Sequence, residues 1–452
     1  MSNCNWGAKM GNEKFDEGLI ENHSNADSSS DNKSVRLWNK NFFLLWQGQL
    51  VSVFGDVLYI IALDFWVLEV TGSTALMGLL SALTMLPRLI LGPFAGVLVD
   101  KWDRKRIIVM TDFIRGVFVT YIGLAGVFGF LQVWMVFVVG IVIGLCGAFF
   151  NPSISSVKPD IVHESKLVQA NSVTSLAQSG MDMIGSAIGG MLFVAIGAPY
   201  MFLFNGISYI FSAFTEVFIT IPKVERKVKD LTLKEDFKEG LKFMWGFKTL
   251  RNIFFAASGI NFFANAAFIL LLPYFKETPF LGPEKYGVAM AVISLSMFLG
   301  SGLFSIITIK REHRFRLFRA AILAAGILLI AITFVKNYIA LLVVLFVGFF
   351  CNVTFNTIFN STMMLVVPRD KRGKVGALMS TMSMGLTPLG SVIGGLLGEF
   401  LELKVAITLL FTLAFIFIVL SVNIKGGKDL VQYSKEEEEV EVLIERTNSI
   451  TS

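Results

Sequence analysis

Charged residues are scarce in this sequence of 452 amino acids: Lys, Arg, Asp and Glu make up 16% of it, whereas 54% of the residues are hydrophobic. Soluble domains contain about 25% charged residues, so this composition excludes a protein surrounded by water on all sides. Cysteine is also scarce, and three residues exclude a disulfide-stabilised secreted scaffold. The chain is instead rich in Phe (43 residues) and Gly (40), with a mean hydropathy of +0.68. It is predicted to be a polytopic membrane protein.

Twelve segments are apolar enough to cross a bilayer, which takes about 20 residues per helix. Their continuous apolar character, without the alternation seen in barrel strands, favours an all-α membrane protein with twelve transmembrane helices. The predicted spans are 42–70, 75–99, 107–128, 132–151, 170–196, 200–221, 252–275, 286–309, 317–335, 338–362, 375–399 and 404–424.

Basic residues are distributed unevenly between the loops. If both termini and every even-numbered loop lie on one side, that side carries 33 of the 39 Lys and Arg residues. Basic residues accumulate on the cytoplasmic side of membrane proteins. The pattern predicts a multi-pass protein of the bacterial cytoplasmic membrane with both termini in the cytoplasm.

Polar segments flank and divide the apolar region. Residues 1–41 lack the apolar core of a signal peptide and are expected to be a disordered cytoplasmic tail. The C-terminal segment, 425–452, is expected to be an acidic cytoplasmic tail whose acidic run, Glu436 to Glu439, is solvated. The linker 222–250 has apolar residues at helical spacing, which predict an amphipathic helix on the membrane surface. These residues are Leu233, Phe237, Leu241 and Met244.

An internal repeat appears when the chain is shifted by 205 residues. From Cys146 to Leu192, 14 of 47 positions match the residue 205 positions later, including G-S-A-I-G-G at 185–190 against G-S-V-I-G-G at 390–395. Such a repeat predicts two pseudo-symmetric six-helix bundles, 42–221 and 251–424, related by an axis along the membrane normal.

Each copy of the repeat contains three glycines, and small residues let helices approach closely in lipid. Sliding contacts between moving helices are one interpretation, and static packing is the other. The glycines are Gly185, Gly189, Gly190, Gly390, Gly394 and Gly395.

The sequence resembles the major facilitator superfamily. The loop from Gly96 to Arg106 (G-V-L-V-D-K-W-D-R-K-R) resembles the G-x-x-x-D-R-x-G-R-R signature, with Lys101 for the first Arg and Asp103 for the second Gly. Residues 185–190 resemble the antiporter motif G-P-x-x-G-G, with Ser186 in place of proline.

Further segments resemble the macrolide-efflux, drug/proton antiporter branch of that superfamily. They are Q-L-V-S-V-F-G-D at 49–56, L-P-R at 86–88, D-F-I-R at 112–115 and E-G-L-K-F at 239–243. The resemblance implies an alternating-access transporter, usually a monomer, that moves a small molecule through the lipid bilayer. It also implies a cytoplasmic gating motif. The alternative is that these charges only set the orientation of the chain in the membrane. That motif would comprise Gly96, Asp100, Arg104 and Arg106, together with Asp112 and Arg115, which can pair three residues apart.

Three charged residues fall near the middle of predicted spans, where ionisable groups are costly and are functional candidates. They are Asp56, Arg88 and Asp182. The resemblance places their spans along a central cavity. We expect Asp56 or Asp182 to carry a proton with Arg88 as the counter-charge; a permanent Asp56–Arg88 pair that fixes helix packing is the alternative.

The second half carries asparagines instead of deep carboxylates. Asn261 and Asn265 lie on one face of the seventh span, and Asn352 and Asn356 on one face of the tenth. These side chains either bind a polar ligand or join helices, and the sequence leaves both possibilities open.

The sequence contains no phosphate-binding loop, no metal-ligand cluster and no set of catalytic residues. We therefore expect a non-enzyme without cofactor, metal or nucleic-acid partner. The predicted function is proton-coupled export of hydrophobic or amphipathic organic compounds, such as macrolide-like antibiotics. Export of a siderophore, an endogenous metabolite or a lysolipid is an alternative, and a non-transporting membrane sensor is another.

Overall fold

The computed structural model describes residues 37–221, 233–307, 309–368, 371, 375–376, 378, 385–434 and 438–451. These residues form helices and no β-strand. The helices are α1 (Lys40–Thr71), α2 (Thr74–Lys101), α3 (Arg104–Val127), α4 (Val133–Ile161), α5 (Leu167–Val217), α6 (Leu233–Gly246), α7 (Lys248–Phe268), α8 (Leu271–Glu277), α9 (Pro283–Ile306), α10 (Arg311–Ala331), α11 (Tyr338–Val366), α12 (Thr387–Phe400), α13 (Leu403–Val422), α14 (Gly427–Val431) and α15 (Val440–Thr451).

Ten helical segments of the described chain are long and apolar enough to span a membrane, with α5 counted once. At 1.5 Å per residue, a straight helix as long as α5 would reach about 77 Å, more than twice the thickness of the hydrocarbon layer. Gly197, with φ 77° and ψ 166°, divides α5 into a first arm (167–196) and a second arm (198–217). This break lies where the predicted fifth and sixth spans meet.

Some helix boundaries differ from the limits of the predicted spans. The predicted span 252–275 consists of two helices, α7 and α8, and α10 begins at Arg311 instead of residue 317. The apolar criterion placed that start too late because basic residues occupy the first turns of α10. Helix α12 covers only the end of the predicted span 375–399, and residues 379–384 lie outside the described chain. The count of twelve spans therefore stays a prediction.

The membrane helices pack as two groups. In the first group, α1 and α3 pack against α5, and α2 and α3 pack against α4. In the second group, α7 packs against α12 and α13, and α11 packs against α9 and α10. Two helix pairs make most of the contact between the groups: α2 with α12, and α5 with α9.

The two groups meet at one end of the molecule. We call the end at which α1 begins and α13 ends the tail end, and the opposite end, with the turn at 72–73, the far end. The contacts of α2 with α12 begin at Thr74, at the far end. Towards the tail end, a Cβ atom added to Gly92 or Gly96 of α2, or to Gly180 of α5, would meet no described atom within 4 Å. Among the described residues, the two groups are therefore in contact at the far end and separate towards the tail end.

The C-terminal segment is folded in its described residues, and of the acidic run that was predicted to be solvated only Glu438 and Glu439 are described. Leu430, Tyr433 and Leu443 are buried against α6 and α7. Glu438 of the acidic run pairs with Arg446 at 2.8 Å. Burial raises the pKa of the Tyr433 hydroxyl, which donates to the Glu438 carbonyl oxygen at 3.1 Å. Apolar residues spaced between the acidic ones provide the surface that packs.

Linker helix α6 lies within the predicted amphipathic segment 222–250. Its Met244 is fully buried beside Leu250 and Phe254 of α7. The side chains of Leu233 and Phe237 lie outside the described residues, as does the N-terminal tail to residue 36. Attachment of this helix to the membrane surface stays a prediction.

Truncating Leu443 tests whether the C-terminal segment stabilises the fold. Leu443 is fully buried in α15, whereas the neighbouring Val442 is 51% exposed. Because a buried Leu→Ala change costs about 2–5 kcal/mol, Leu443→Ala should lower the thermal unfolding temperature of the purified protein. Val442→Ala is the matched control and should leave that temperature nearly unchanged. Equal effects of the two variants would show that α15 does not contribute through packing.

Candidate functional site

Asp56 of α1 is hydrogen-bonded to Tyr209 of the second arm of α5. The Tyr209 hydroxyl donates to the partly buried Asp56 carboxylate. The two helices approach closely because Gly55 has no side chain: a Cβ atom there would lie 2.5 Å from the Asn205 side-chain oxygen. Glycine thus lets a polar face of the second arm reach a carboxylate in the middle of α1.

Arg115 of α3 extends this network. Its guanidinium lies 4.6 Å from the centre of the Tyr209 ring and 4.2 Å from that of Phe150 on α4. It also forms an ion pair with Asp112, one turn earlier on α3. Both members of the pair are buried, with Arg115 5% exposed and Asp112 fully enclosed. Aromatic faces and a carboxylate together stabilise this buried cation.

Glu216 lies at the other end of the network. It is 1% exposed and accepts a hydrogen bond from the Ser212 hydroxyl at 3.3 Å. The polar network therefore extends from Asp56 to Glu216, within the first helix group, and is built by α1, α3 and the second arm of α5.

Sequence reasoning assigned no role to Tyr209, Ser212 or Glu216. A detectable signal was present. Polar residues recur every three or four positions along the predicted sixth span, which marks one helix face. These residues are Asn205, Ser208, Ser212, Thr215 and Glu216.

Arg88 and Asp182 lie near this network without direct bonds to it. Arg88 is exposed and packs over Gly147 of α4, where a Cβ atom would lie 2.5 Å from the Arg88 Nε. Arg88 and Asp182 are both within electrostatic range of Asp56. The described residues contain no Asp56–Arg88 ion pair, so this conformation does not support the permanent pair.

The asparagines divide into two kinds. The Asn265 side chain accepts a hydrogen bond from Ser391 of α12 at 2.8 Å and so joins two helices. The Asn356 side-chain NH₂ group donates to the Asn352 side chain at 2.9 Å, within α11. Asn261 and Asn356 are exposed. Asn265 thus joins two helices, whereas ligand binding by the exposed Asn261 and Asn356 stays a prediction.

The loop between α2 and α3 contains one partly buried ion pair. Arg104 contacts Asp160 of α4 at 2.9 Å, with side chains 12% and 5% exposed. Asp103 is the N-cap of α3, and its side chain accepts hydrogen bonds from the backbone N–H groups of residues 105 and 106. This capping role explains why an acidic residue stands where the signature has glycine. Arg106 is exposed and lies 3.5 Å from Asp103. Asp100 lies on the last turn of α2, and its side chain is outside the described residues.

The repeat glycines make equivalent contacts in the two halves. A Cβ atom on Gly185 or Gly189 would meet Val57 or Ile61 of α1, and one on Gly390 or Gly394 would meet Phe262 or Ala266 of α7. These partners are themselves 205 residues apart. The repeat therefore extends from sequence to helix contacts, with α1 and α7 in equivalent positions.

The third glycine of each copy contacts the opposite helix group. A Cβ atom on Gly190 would lie 2.1 Å from the Pro283 carbonyl oxygen of α9, and one on Gly395 would lie 2.5 Å from the Thr74 oxygen of α2. Neither contact leaves room for any side chain. Glycine at both positions allows the far end to close.

A carboxylate of α12 caps α2 at the same place. Glu399 accepts hydrogen bonds from the Ser73 hydroxyl at 2.9 Å and from the Ala75 N–H at 3.4 Å. It thereby satisfies a free N–H group at the start of α2, where negative charge is favourable. This contact crosses between the two groups and belongs to the closed far end.

Two solved structures share this fold. A bacterial homologue of the iron transporter ferroportin, in an inward-facing state, superposes with a TM-score of 0.66 at 16% identity, covering 85% of this chain and 99% of that one. A bacterial homologue of the human lysosomal transporter Spinster, also inward-facing and unoccupied, gives 0.62 at 14% identity, covering 90% and 97%. At these identities the comparisons establish the fold alone.

Curated relatives include named efflux proteins. Macrolide efflux protein A of Streptococcus pyogenes is 27% identical over 248 residues, which cover 54% of this chain and 61% of that protein's length. An uncharacterized MFS-type transporter of Bacillus subtilis, YfiS, is 26% identical, covering 81% and 89%. The multidrug efflux pump Tap of Mycolicibacterium fortuitum is 24% identical, covering 76% and 86%. The sequence profile of the transmembrane secretion effector family matches residues 35–448, so this chain belongs to that family of major facilitator transporters.

Proposed function

We propose that this protein exports hydrophobic or amphipathic organic compounds, of the size and character of macrolide antibiotics, in exchange for protons. The observation that carries the proposal is the placement of Asp56: a partly buried carboxylate near the middle of α1, bonded to a buried polar network. A carboxylate in such a place is energetically costly, and carboxylates within membrane spans commonly mark a pathway for ions or substrate.

Alternating access explains the two helix groups and their asymmetric contact. With the tail end in the cytoplasm, as the basic loops predict, the structure corresponds to a state that loads substrate from inside the cell. Export then requires the far-end contacts of Gly190, Gly395 and Glu399 to separate while the tail end closes. Rocking of packed groups between two arrangements is a known route for such a change.

The chemistry of the exposed surfaces favours an organic cargo. Asn261 and Asn356 supply amide donors and acceptors without charge, which suits the polar groups of a neutral or weakly charged amphiphile. Relatives named as macrolide and multidrug efflux pumps support the same class. Among the described residues no three His, Cys, Asp or Glu side chains form a group that could hold a metal ion.

The proposal is tested by transport of a panel of compounds. Inside-out vesicles containing the protein should accumulate a macrolide when the lumen is acidified, and dissipating the pH gradient should abolish that accumulation. Cells carrying the gene should show raised resistance to the same compounds. Accumulation that is indifferent to the pH gradient would rule out proton exchange. Binding of the drugs without any vesicle transport would instead indicate a sensor, and transport of a siderophore or lysolipid alone would change the cargo.

A further inference from the structure

Two carboxyl groups and one guanidinium are buried inside the first helix group. Asp112 of α3 pairs with Arg115, and Glu216 of the second arm of α5 lies within electrostatic range of both. All three side chains are 5% exposed or less. If both carboxyl groups were ionised, the trio would carry a net negative charge away from water. A buried charge without its own counter-ion is strongly unfavourable.

Each carboxyl group also has one oxygen without a hydrogen-bond partner among the described residues. These atoms are Asp112 Oδ2 and Glu216 Oε2, and both are buried. Asp112 Oδ1 is bonded to Arg115, and Glu216 Oε1 accepts from Ser212. An ionised carboxylate needs donors at both oxygens when it is buried. A protonated carboxyl group instead carries an O–H donor, and one proton shared between the two partnerless oxygens would supply a donor to one and an acceptor to the other.

Among the described residues, the neighbouring helices bring no second cation to this cluster. From α1 the cluster faces Asp56, from α4 it faces Cys146, and from the second arm of α5 it faces Tyr209. Arg88, the other cation within electrostatic range of Asp56, is exposed and packs over Gly147. The surroundings therefore add negative charge or none, and Arg115 remains the one buried positive charge of the described network.

We propose that Asp112 and Glu216 together bind one proton, as a proton-binding site additional to Asp56. The proton resides on Glu216 Oε2 or Asp112 Oδ2, and the other carboxylate is the counter-ion of Arg115. The trio is then electrically neutral. Its link to the transport pathway is Arg115, whose guanidinium also stacks on the ring of Tyr209, the residue bonded to Asp56. A change of charge at Asp56 alters how strongly Arg115 favours ionisation of the buried pair.

This inference rests on the proposed function for its role in coupling, whereas the bound proton itself is a property of the resting protein. Infrared spectroscopy measures it directly, because a protonated carboxyl group and a carboxylate absorb at different frequencies. The full-length protein in detergent should show a protonated carboxyl group at neutral pH. Glu216→Gln and Asp112→Asn should each remove one equivalent of that absorption, since the carboxyl group left beside Arg115 then ionises.

The control is Glu69→Gln, which removes an exposed carboxyl group of α1 and should leave the protonated band unchanged. Asp56→Asn identifies any part of the band that belongs to Asp56. If either amide variant fails to fold, Ser212→Ala provides the second test: loss of the hydrogen bond to Glu216 should shift the band without abolishing it. An unchanged band in Glu216→Gln and Asp112→Asn would overturn the proposal. If the protonated band persisted in Asp112→Asn alone, the proposal would also be overturned, because the proton would then belong to Glu216 only.

Measuring export together with the infrared band distinguishes a failure of this site from a failure of the proposed function. If the band responds as expected but export does not depend on the pH gradient, the bound proton is confirmed and its coupling to transport is disproved. Export driven by the gradient, with no protonated band at the pair, would disprove the site and leave Asp56 as the proton carrier.

Discussion

Asp56→Asn is expected to reduce drug accumulation driven by a pH gradient to the level of vesicles without the protein. The amide keeps the size and the hydrogen-bonding capacity towards Tyr209, but it cannot take up and release a proton. Downhill movement of the same drug, measured without a pH gradient, should persist, because the helices still pack as before. This difference separates lost coupling from lost folding.

The comparison variants for Asp56 follow from the structure. Asp182→Asn should have a smaller effect, since Asp182 has no hydrogen bond to the buried network among the described residues and lies within electrostatic range of Asp56 only. Tyr209→Phe removes the donor to Asp56 and should weaken the drug accumulation without abolishing it. Undiminished coupling in both aspartate variants would contradict the assignment of the proton carrier. Full loss in Asp182→Asn alone would transfer that role to Asp182.

Gly190→Val is expected to abolish export by preventing closure of the far end. The added Cβ atom would fall 2.1 Å from the Pro283 carbonyl oxygen, and backbone atoms cannot move aside as a flexible side chain can. The variant should therefore favour the state open at the far end. A cysteine at position 391, buried between the groups here, should react faster with a membrane-impermeant thiol reagent added outside the cell, in a background where the native cysteines are serines.

Gly180→Val on the same arm of α5 is the matched control. A Cβ atom at Gly180 would meet no described atom within 4 Å. This variant therefore changes the helix propensity of α5 as Gly190→Val does, but it creates no steric clash with a described atom. It should show slow labelling at position 391, because the far-end contacts are unchanged in this variant. Loss of export in both variants, with unchanged labelling, would show that valine disturbs the helix itself and would leave the glycine repeat with a packing role only.

The polar network changes how the intramembrane charges are understood. Sequence reasoning paired Asp56 with Arg88 because both fall near the middle of their spans. The structure instead bonds Asp56 to Tyr209, and it brings Arg115 to the other side of the same ring. Depth along a span is a one-dimensional quantity, and it does not indicate which side of a helix a residue occupies relative to its neighbours in space.

The far-end contacts show what pseudo-symmetry adds. Three glycines per repeat could be read from the sequence, but their roles differ. The first two of each copy approach the helix of their own group, and the third approaches the other group. Only the third pair, Gly190 and Gly395, is therefore expected to separate during transport, and this distinction required the positions of α2 and α9.

The sequence by itself determined the class of this protein, because composition, apolar runs, basic loops and the 205-residue repeat are properties of the chain that need no knowledge of contacts. It also identified Asp56 as unusual, since charge in an apolar run is costly wherever the helix packs, and it predicted that Asp112 and Arg115 can pair. Only the tertiary structure decided their partners: Tyr209 and Glu216 come from a helix distant in sequence. It likewise decided that the C-terminal residues fold, because Leu430 and Leu443 gain a buried position only when α6 and α7 present an apolar surface to them.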